Sequence, residues 1–287
     1  MLDHEYDRTT PGDVYLCQTD ECLACGACCG LYNVADPSFE NLDALLRRRT
    51  ELFGKTARDF DSLIQFKEQV EAMENQTRPF PEFHHCPYIG FVGPALSRPG
   101  CLLHPFNTGN NGVDHRGLSD WGGLACATYF CPTCWNLPAR YKKILRMCCD
   151  TWYIYGLIIT ETAMISNYFS LIEQKMSQEL DAAFLSLNDA FKAAVQKFFH
   201  LKTTWAHRPE GFNRLGNYFF NDNLYPRIPV DYKSLDAVIS DKDEILMALG
   251  SEFKTKKELE SAVQLLSEVI QEAVDSIRRT EHDRSEP

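Results

Sequence analysis

The chain has no stretch of about 20 predominantly apolar residues, the length a bilayer-spanning helix needs. Its most hydrophobic run, Trp152 to Ile165, is short and carries Glu161, Gly156 and two threonines, so it predicts a buried helix. The start, Met1 to Arg8, is acidic and polar, without the basic and apolar regions of a secretory signal. Positive charge is scarce as well: 29 lysines and arginines stand against 40 acidic residues, a net charge of −11. Phosphate contacts need a basic surface, which excludes a general nucleic-acid binder. The one compact basic run, Arg47-Arg48-Arg49, spreads around a helix and predicts a solvated face. A phosphate-binding glycine loop, a Rossmann fingerprint and an H-E-x-x-H motif are absent too, as are internal repeats and low-complexity tracts. Together these absences predict a cytoplasmic protein with neither a nucleic-acid nor a membrane partner.

What the sequence does have is cysteine. Cys22-Leu-Ala-Cys25-Gly-Ala-Cys28-Cys29 puts four thiols within eight residues, and Cys86, Cys101, Cys126, Cys131 and Cys134 follow. A buried free cysteine is only a small hydrophobe, and packing gives no reason to stack four beside glycine and alanine. In a cytoplasm kept reduced, a disulfide framework is disfavoured and metal ligation is the reading that remains. Two cysteines separated by two residues can close around one ion, and Cys22/Cys25, Cys25/Cys28 and Cys131/Cys134 share that spacing. It suits zinc thiolate sites and iron–sulfur clusters alike. Gly26 lets the backbone turn tightly and aim amides at sulfur.

The adjacent pair Cys28-Cys29 carries more. Neighbouring side chains point apart in an extended chain, so either one thiol sits behind the other or the pair faces two closely spaced metals. The C-x3-C-P continuation of a ferredoxin is missing, which disfavours a standard ferredoxin. His104, in C-x2-H spacing from Cys101, is a further candidate ligand, and His84 and His85 flank Cys86; a loop histidine bonded to backbone is the competing reading for each. Cys148 and Cys149 fall in a helical pattern and predict core packing, with Cys17 standing apart.

The first motif resembles the CxxCxxCC, or YkgJ-type, cysteine-cluster family, described as a zinc- or iron-chelating domain. Its C-x2-C-G-x-C-C opening is matched by Cys22, Cys25, Gly26, Cys28 and Cys29. Its C-P-aromatic element is matched by Cys86-Pro87-Tyr88, and the next by Gly100-Cys101 with His104 and Pro105. Cys126 and Cys131 fall where its pattern closes, with Cys134 as an additional ligand. The resemblance covers roughly residues 17 to 135. A longer Gly/Asn-rich insert replaces the family's arginine-proline-x-x-cysteine closing element. What the resemblance implies is metal chelation, without a stated metal or reaction.

The remaining residues predict helices. Leu42, Leu45 and Leu46 make one apolar stripe, and Phe60, Leu63, Ile64 and Phe66 begin another, with a cap at Thr56-Ala-Arg-Asp59. From Arg78 to Pro138, seven prolines ahead of Pro138 itself and several glycine turns predict a loop-rich stretch held by its cysteines. Beyond it, Tyr141, Ile144, Leu145 and Cys148 share a face, Trp152 to Met176 reads as one long helix, and Ala182 to Leu201 as another. Residues 202–235 read as an aromatic connector with Trp205, Phe212, Tyr218, Phe219, Phe220 and Tyr225. Ser240–Asp243 and the capping box Thr255–Glu258 start two more helices, the last amphipathic to Ile277.

The fold class expected is therefore mainly α: a helical bundle with a loop-rich, cysteine-clustered metal-binding module. The module spans residues 1–137 with inserted helices at 38–75, and 138–287 is a helical region packing on it. The expected function is binding of zinc or an iron–sulfur cluster, for structure, metal handling or electron transfer. Two other classes stay open: a metal- or cluster-dependent enzyme modifying another protein, and an adaptor whose metal shapes a surface for a protein partner. Asp114-His115-Arg116 and Trp121-Gly122-Gly123 predict turns rather than a catalytic set.

Overall fold

Ser38 starts the first helix. Its hydroxyl accepts from Asn41 N, and α1 runs Phe39–Gly54 with Leu42, Leu45 and Leu46 on its buried face. The chain is seen here in a computed structural model that describes residues 3–219 and 227–285. α2 (Phe60–Met73) is capped by Asp59 alone, whose carboxylate accepts from Ser62 N. Thr56 does not share that cap: its hydroxyl donates back to Leu52 O at 2.9 Å, the carbonyl one turn behind it at the end of α1. Phe60 corrects the expected stripe, being 66% exposed at the first turn. Leu63, Phe66 and Val70 bury instead, against Phe53, Tyr88, Leu102 and Leu103 in a small core of their own. The Phe66 ring stacks on Tyr88 at 5.6 Å, a contact worth roughly 1 kcal/mol beyond its buried area.

The proline-rich stretch is less irregular than its composition suggests. β1 (Ile89–Val92) and β2 (Arg98–Cys101) pair antiparallel with Ile89 opposite Cys101. Pro99 and Arg98 sit on a two-stranded ribbon, where a missing ladder donor is tolerated at an edge. α3 (Gly123–Thr128) and α4 (Pro132–Asn136) follow, the second with proline at its first position, where no amide is missed.

α5 (Ala139–Cys148) buries Tyr141, Ile144, Leu145 and Cys148 as expected. The long helix expected over Trp152–Met176 is broken into α6 (Trp152–Ile158) and α7 (Thr162–Met176). The break falls at Glu161, which is 1% exposed and held by the ammonium of Lys202 and the guanidinium of Arg227. A carboxylate that must reach two cations from other segments wins over helical continuity. Ala182–Leu201 is likewise divided into α8 (Ala182–Leu185) and α9 (Asp189–Thr204), because Asn188 turns its side chain onto Phe191 N and caps a new helix. α10 (Asp243–Ala248) and α11 (Lys256–Ser285) complete the order. The capping box at α11 forms as read, with Glu258 N donating to Thr255 Oγ1 at 3.2 Å and Thr255 N to Glu258 Oε2 at 3.3 Å.

The architecture is mainly α. α11 lies along α9 and α7, and the main core draws Leu259, Ala262, Leu266, Ile270 and Val274 together with residues of α5, α6 and the amino-terminal segment. In the connector, Trp205 and Tyr218 are buried, while Phe220 and Tyr225 lie outside the described residues. Among the described residues no helix is long and apolar enough to cross a membrane. The basic run needs correction: Arg47 pairs with Asp43 at the surface, but Arg49 is buried against Glu74. Three consecutive helical residues cover most of the cylinder, so one of them had to face inward.

Side chains of α5 and α6 tether the cysteine-bearing amino-terminal segment to the helices. Arg146 on α5 grips Asp7 with two bonds of 2.7 and 2.9 Å. Lys142, one turn earlier, donates to Gly12 O at 2.5 Å and Cys134 O at 2.8 Å. Tyr155 on α6 donates its hydroxyl to Leu16 O at 2.8 Å.

Candidate metal centre

All twelve cysteines are free thiols. Backbone contacts bring distant thiol segments together. Cys86 N donates to Cys29 O at 2.8 Å, and Trp121 Nε1 donates to Cys28 O at 3.0 Å. The β1/β2 ladder sets Cys101 opposite Ile89, and Leu102 N extends the ladder to Tyr88 O; Cys86, three residues before Ile89, lies in the same small core against which Cys101 packs. Arg116 Nη1 donates to Cys126 O at 3.3 Å, tying the α3 cysteine to the turn that follows His115.

The thiols divide into two groups where the sequence divides Cys28 from Cys29. Cys25 is raised first by burial, then by the charges of Cys28 and Cys131. Cys131 and Cys134 share a proton: the hydrogen bond from Cys134 holds Cys131 down to about 6, and the same bond drives Cys134 up. On the other side, Cys29 is raised by its hydrogen bond to Cys28, by burial, and by Cys28, Cys86 and Cys101. Cys86 and Cys101 are each pushed up to about 12, chiefly by burial, and Cys101 also feels Cys86 and Cys126. Cys28 stands between the groups, its thiol lowered by the bond from Cys29. It is exposed to solvent. Electrostatically, Cys17, Cys25, Cys28, Cys131 and Cys134 bear on one another, and Cys29, Cys86, Cys101 and Cys126 are linked in the same way.

Local structure explains the aim of these side chains. Gly26 is not in the left-handed region; it is small because a Cβ there would lie 2.8 Å from Ile89 Cδ1 and from Leu31 Cδ2. The tight turn it permits points Ala27 N at Cys25 Sγ, 3.4 Å away, as the motif predicts. Gly30, at φ +71°, ends the short turn Ala27–Cys29, where a Cβ would meet His84 O at 2.0 Å. Ser119 Oγ reaches Cys126 Sγ at 3.1 Å.

The histidines sort cleanly. His85 is occupied at both nitrogens: Arg49 can only donate, so Nε2 accepts at 2.7 Å, and Nδ1 carries the proton toward Gly30 O at 2.7 Å. Neither is left for a metal, and the residue holds the Cys86 segment against the Cys29 turn. His104 Nδ1 accepts from Phe106 N at 3.2 Å, and after burial the charges bearing on it are those of Arg116 and Asp114. His84 Nε2 and His115 Nε2 are buried without a hydrogen-bond partner. His84 stacks on Phe83 and meets the edge of Trp121, above Cys28 O.

Two cysteines sit where their spacing did not place them. Cys22 is exposed at the tip of a turn, with its N–H on Asp20 Oδ1 at 2.7 Å. Cys17 lies across from Cys25, its carbonyl accepting from Cys25 N at 2.8 Å. The only sign of this in the sequence is Asp20, a turn former between them. Cys148 and Cys149 are buried in the core as expected, both raised by burial.

Among the described residues no group of three His, Cys, Asp or Glu side chains is placed to hold an ion. The donor set is nonetheless thiolate-rich, and soft thiolates select zinc or iron–sulfur clusters. A bound cation deprotonates a coordinating thiol outright. A cavity of about 210 Å³ lies elsewhere, lined by Phe80, Phe212, Val230, Leu235 and Phe253 with Arg214, and has no thiol in its lining. No family model, no curated protein and no solved structure matches the chain.

Proposed function

We propose that this is a metal-binding protein with two adjacent thiolate centres, loaded with zinc or iron–sulfur and joined through the Cys28–Cys29 peptide. One observation carries the reading: Cys29 shares a backbone bond of 2.8 Å with Cys86, and its thiol feels Cys28, Cys86 and Cys101 together. Segments separated by more than fifty positions would have no need to converge on sulfur for packing alone. The spacing shared with the CxxCxxCC family supports the same reading, and a reducing cytoplasm is part of the proposal.

Cys25, Cys28, Cys131 and Cys134 would hold one centre, and Cys29, Cys86, Cys101 and Cys126 the other. Zinc there supplies cross-links, and in small zinc peptides such sites contribute roughly 10–16 kcal/mol of apparent folding free energy. An iron–sulfur cluster supplies an electron-transfer centre. The chain's own part is to aim donors at sulfur, Ala27 N at Cys25 and Ser119 Oγ at Cys126, and such bonds tune a cluster's potential. The choice of metal and the count of centres are read together by anaerobic purification, metal and labile-sulfide analysis and a visible spectrum. Colourless protein with two zinc ions per chain, or brown protein with iron and sulfide, is the expected result. Folded chain without stoichiometric metal overturns the proposal.

A further inference from the structure

We propose that Cys17, and not Cys22, is a ligand of the first centre, joining Cys25, Cys28 and Cys131 in place of Cys134. The inference rests on the two-centre reading and changes its ligand set.

The register of a small hairpin carries it. Gln18 and Ala24 form an antiparallel bridge, Cys25 N donates to Cys17 O at 2.8 Å, and Thr19 N donates to Leu23 O at 3.0 Å. Those two bonds bracket the Gln18/Ala24 pair, so Cys17 and Cys25 are directly opposite each other. Opposed residues on an antiparallel ribbon point to the same face, with Cα atoms about 5.5 Å apart when hydrogen-bonded. Cys17 therefore presents its sulfur beside that of Cys25. Cys22 is held away from that face, in the turn that connects the two arms. Asp20 Oδ1 accepts from Cys22 N at 2.7 Å and from Leu23 N at 2.6 Å, which fixes the tip.

The tip is anchored from outside as well. Ser97 Oγ donates to Glu21 O at 2.7 Å, Arg98 donates to Asp20 O, and Gln18 Nε2 donates to Pro99 O at 2.8 Å. Bringing Cys22 to Cys28 would break this set, whereas Cys17 already lies opposite Cys25.

The test compares the full chain with C17S, C22S and C25S, each purified anaerobically, by metal per folded chain. C17S should lose one centre, halving the content as C25S does, and C22S should match the unsubstituted protein. Full content in C17S, or a halved content in C22S, overturns the inference. An unsubstituted chain that holds no metal overturns the two-centre reading instead, so the two failures are distinct. Should C17S not fold, alkylation of the unsubstituted metal-loaded protein gives the same answer. Cys22 should be modified at once, and Cys17 only after a chelator strips the metal. Cys22 protected until stripping contradicts it.

Discussion

Arg49 Nε donates to Glu74 Oε1 at 2.9 Å, with the guanidinium 1% and the carboxylate side chain 6% exposed. The same guanidinium donates to Cys86 O at 2.9 Å and to His85 Nε2 at 2.7 Å. One side chain of α1 thus orders the loop ahead of β1 that delivers Cys86. Arg49→Met should cost about 3 kcal/mol, since it leaves the buried Glu74 carboxylate to the exposed Arg48 and takes the donor from Cys86 O. Arg49→Lys should recover little, because an ammonium lacks the planar fork that reaches three acceptors. Urea unfolding of the three proteins measures both.

Gly30 combines a φ of +71° with a neighbour, His84 O, that would lie 2.0 Å from any added Cβ. Gly30→Ala should destabilise by about 1–3 kcal/mol through overpacking, with backbone strain added. Because Gly30 O also receives the His85 Nδ1 proton, the same variant should lower metal content. Unfolding midpoint and metal analysis on one sample check the two effects together.

Acid should loosen the amino-terminal tether. Burial raises the Asp7 carboxyl, but Arg146 and the amides of Tyr15 and His4 outweigh it and leave it below the usual carboxylate value of 3.8. A folded-state value below the unfolded one stabilises the fold above the unfolded value, and that contribution is lost as pH falls through the folded one. Asp7→Asn should therefore lower stability near neutrality and flatten its fall below about pH 4. A stability profile against pH for both proteins checks the difference.

Lys202 and Glu161 are each 1% exposed, and Lys202 also donates to Ala248 O at 2.7 Å. Burial is the largest influence on Lys202 and lowers it to about 8, with Glu161 opposing. Lys202→Met should cost about 3–5 kcal/mol by leaving the Glu161 carboxylate a single partner, Arg227. Adding Glu161→Gln should return part of that loss, since the buried charge leaves with it. A double-mutant cycle by chemical unfolding reads the coupling.

What was readable in the sequence is what is local. The capping box at Thr255 and Glu258 and the stripe from Leu259 to Ile277 need no partner beyond a few residues, and both appear as read. The turn at Gly26 is of the same kind. What escaped depends on distant residues: Arg49 is buried because Glu74 lies 25 positions on, and α6 stops before α7 because Glu161 meets Lys202 and Arg227. The pairing of Cys17 with Cys25 has no periodic signature, since it is set by a ladder register around Asp20. Spacing of two between cysteines does not encode which residue a hairpin places at its tip, and that residue here is Cys22.

X-ray absorption at the metal edge of natively purified protein tests the central claim most directly. The account predicts a first shell of sulfur scatterers alone, at about 2.3 Å if the metal is zinc. A first shell dominated by nitrogen or oxygen would contradict it.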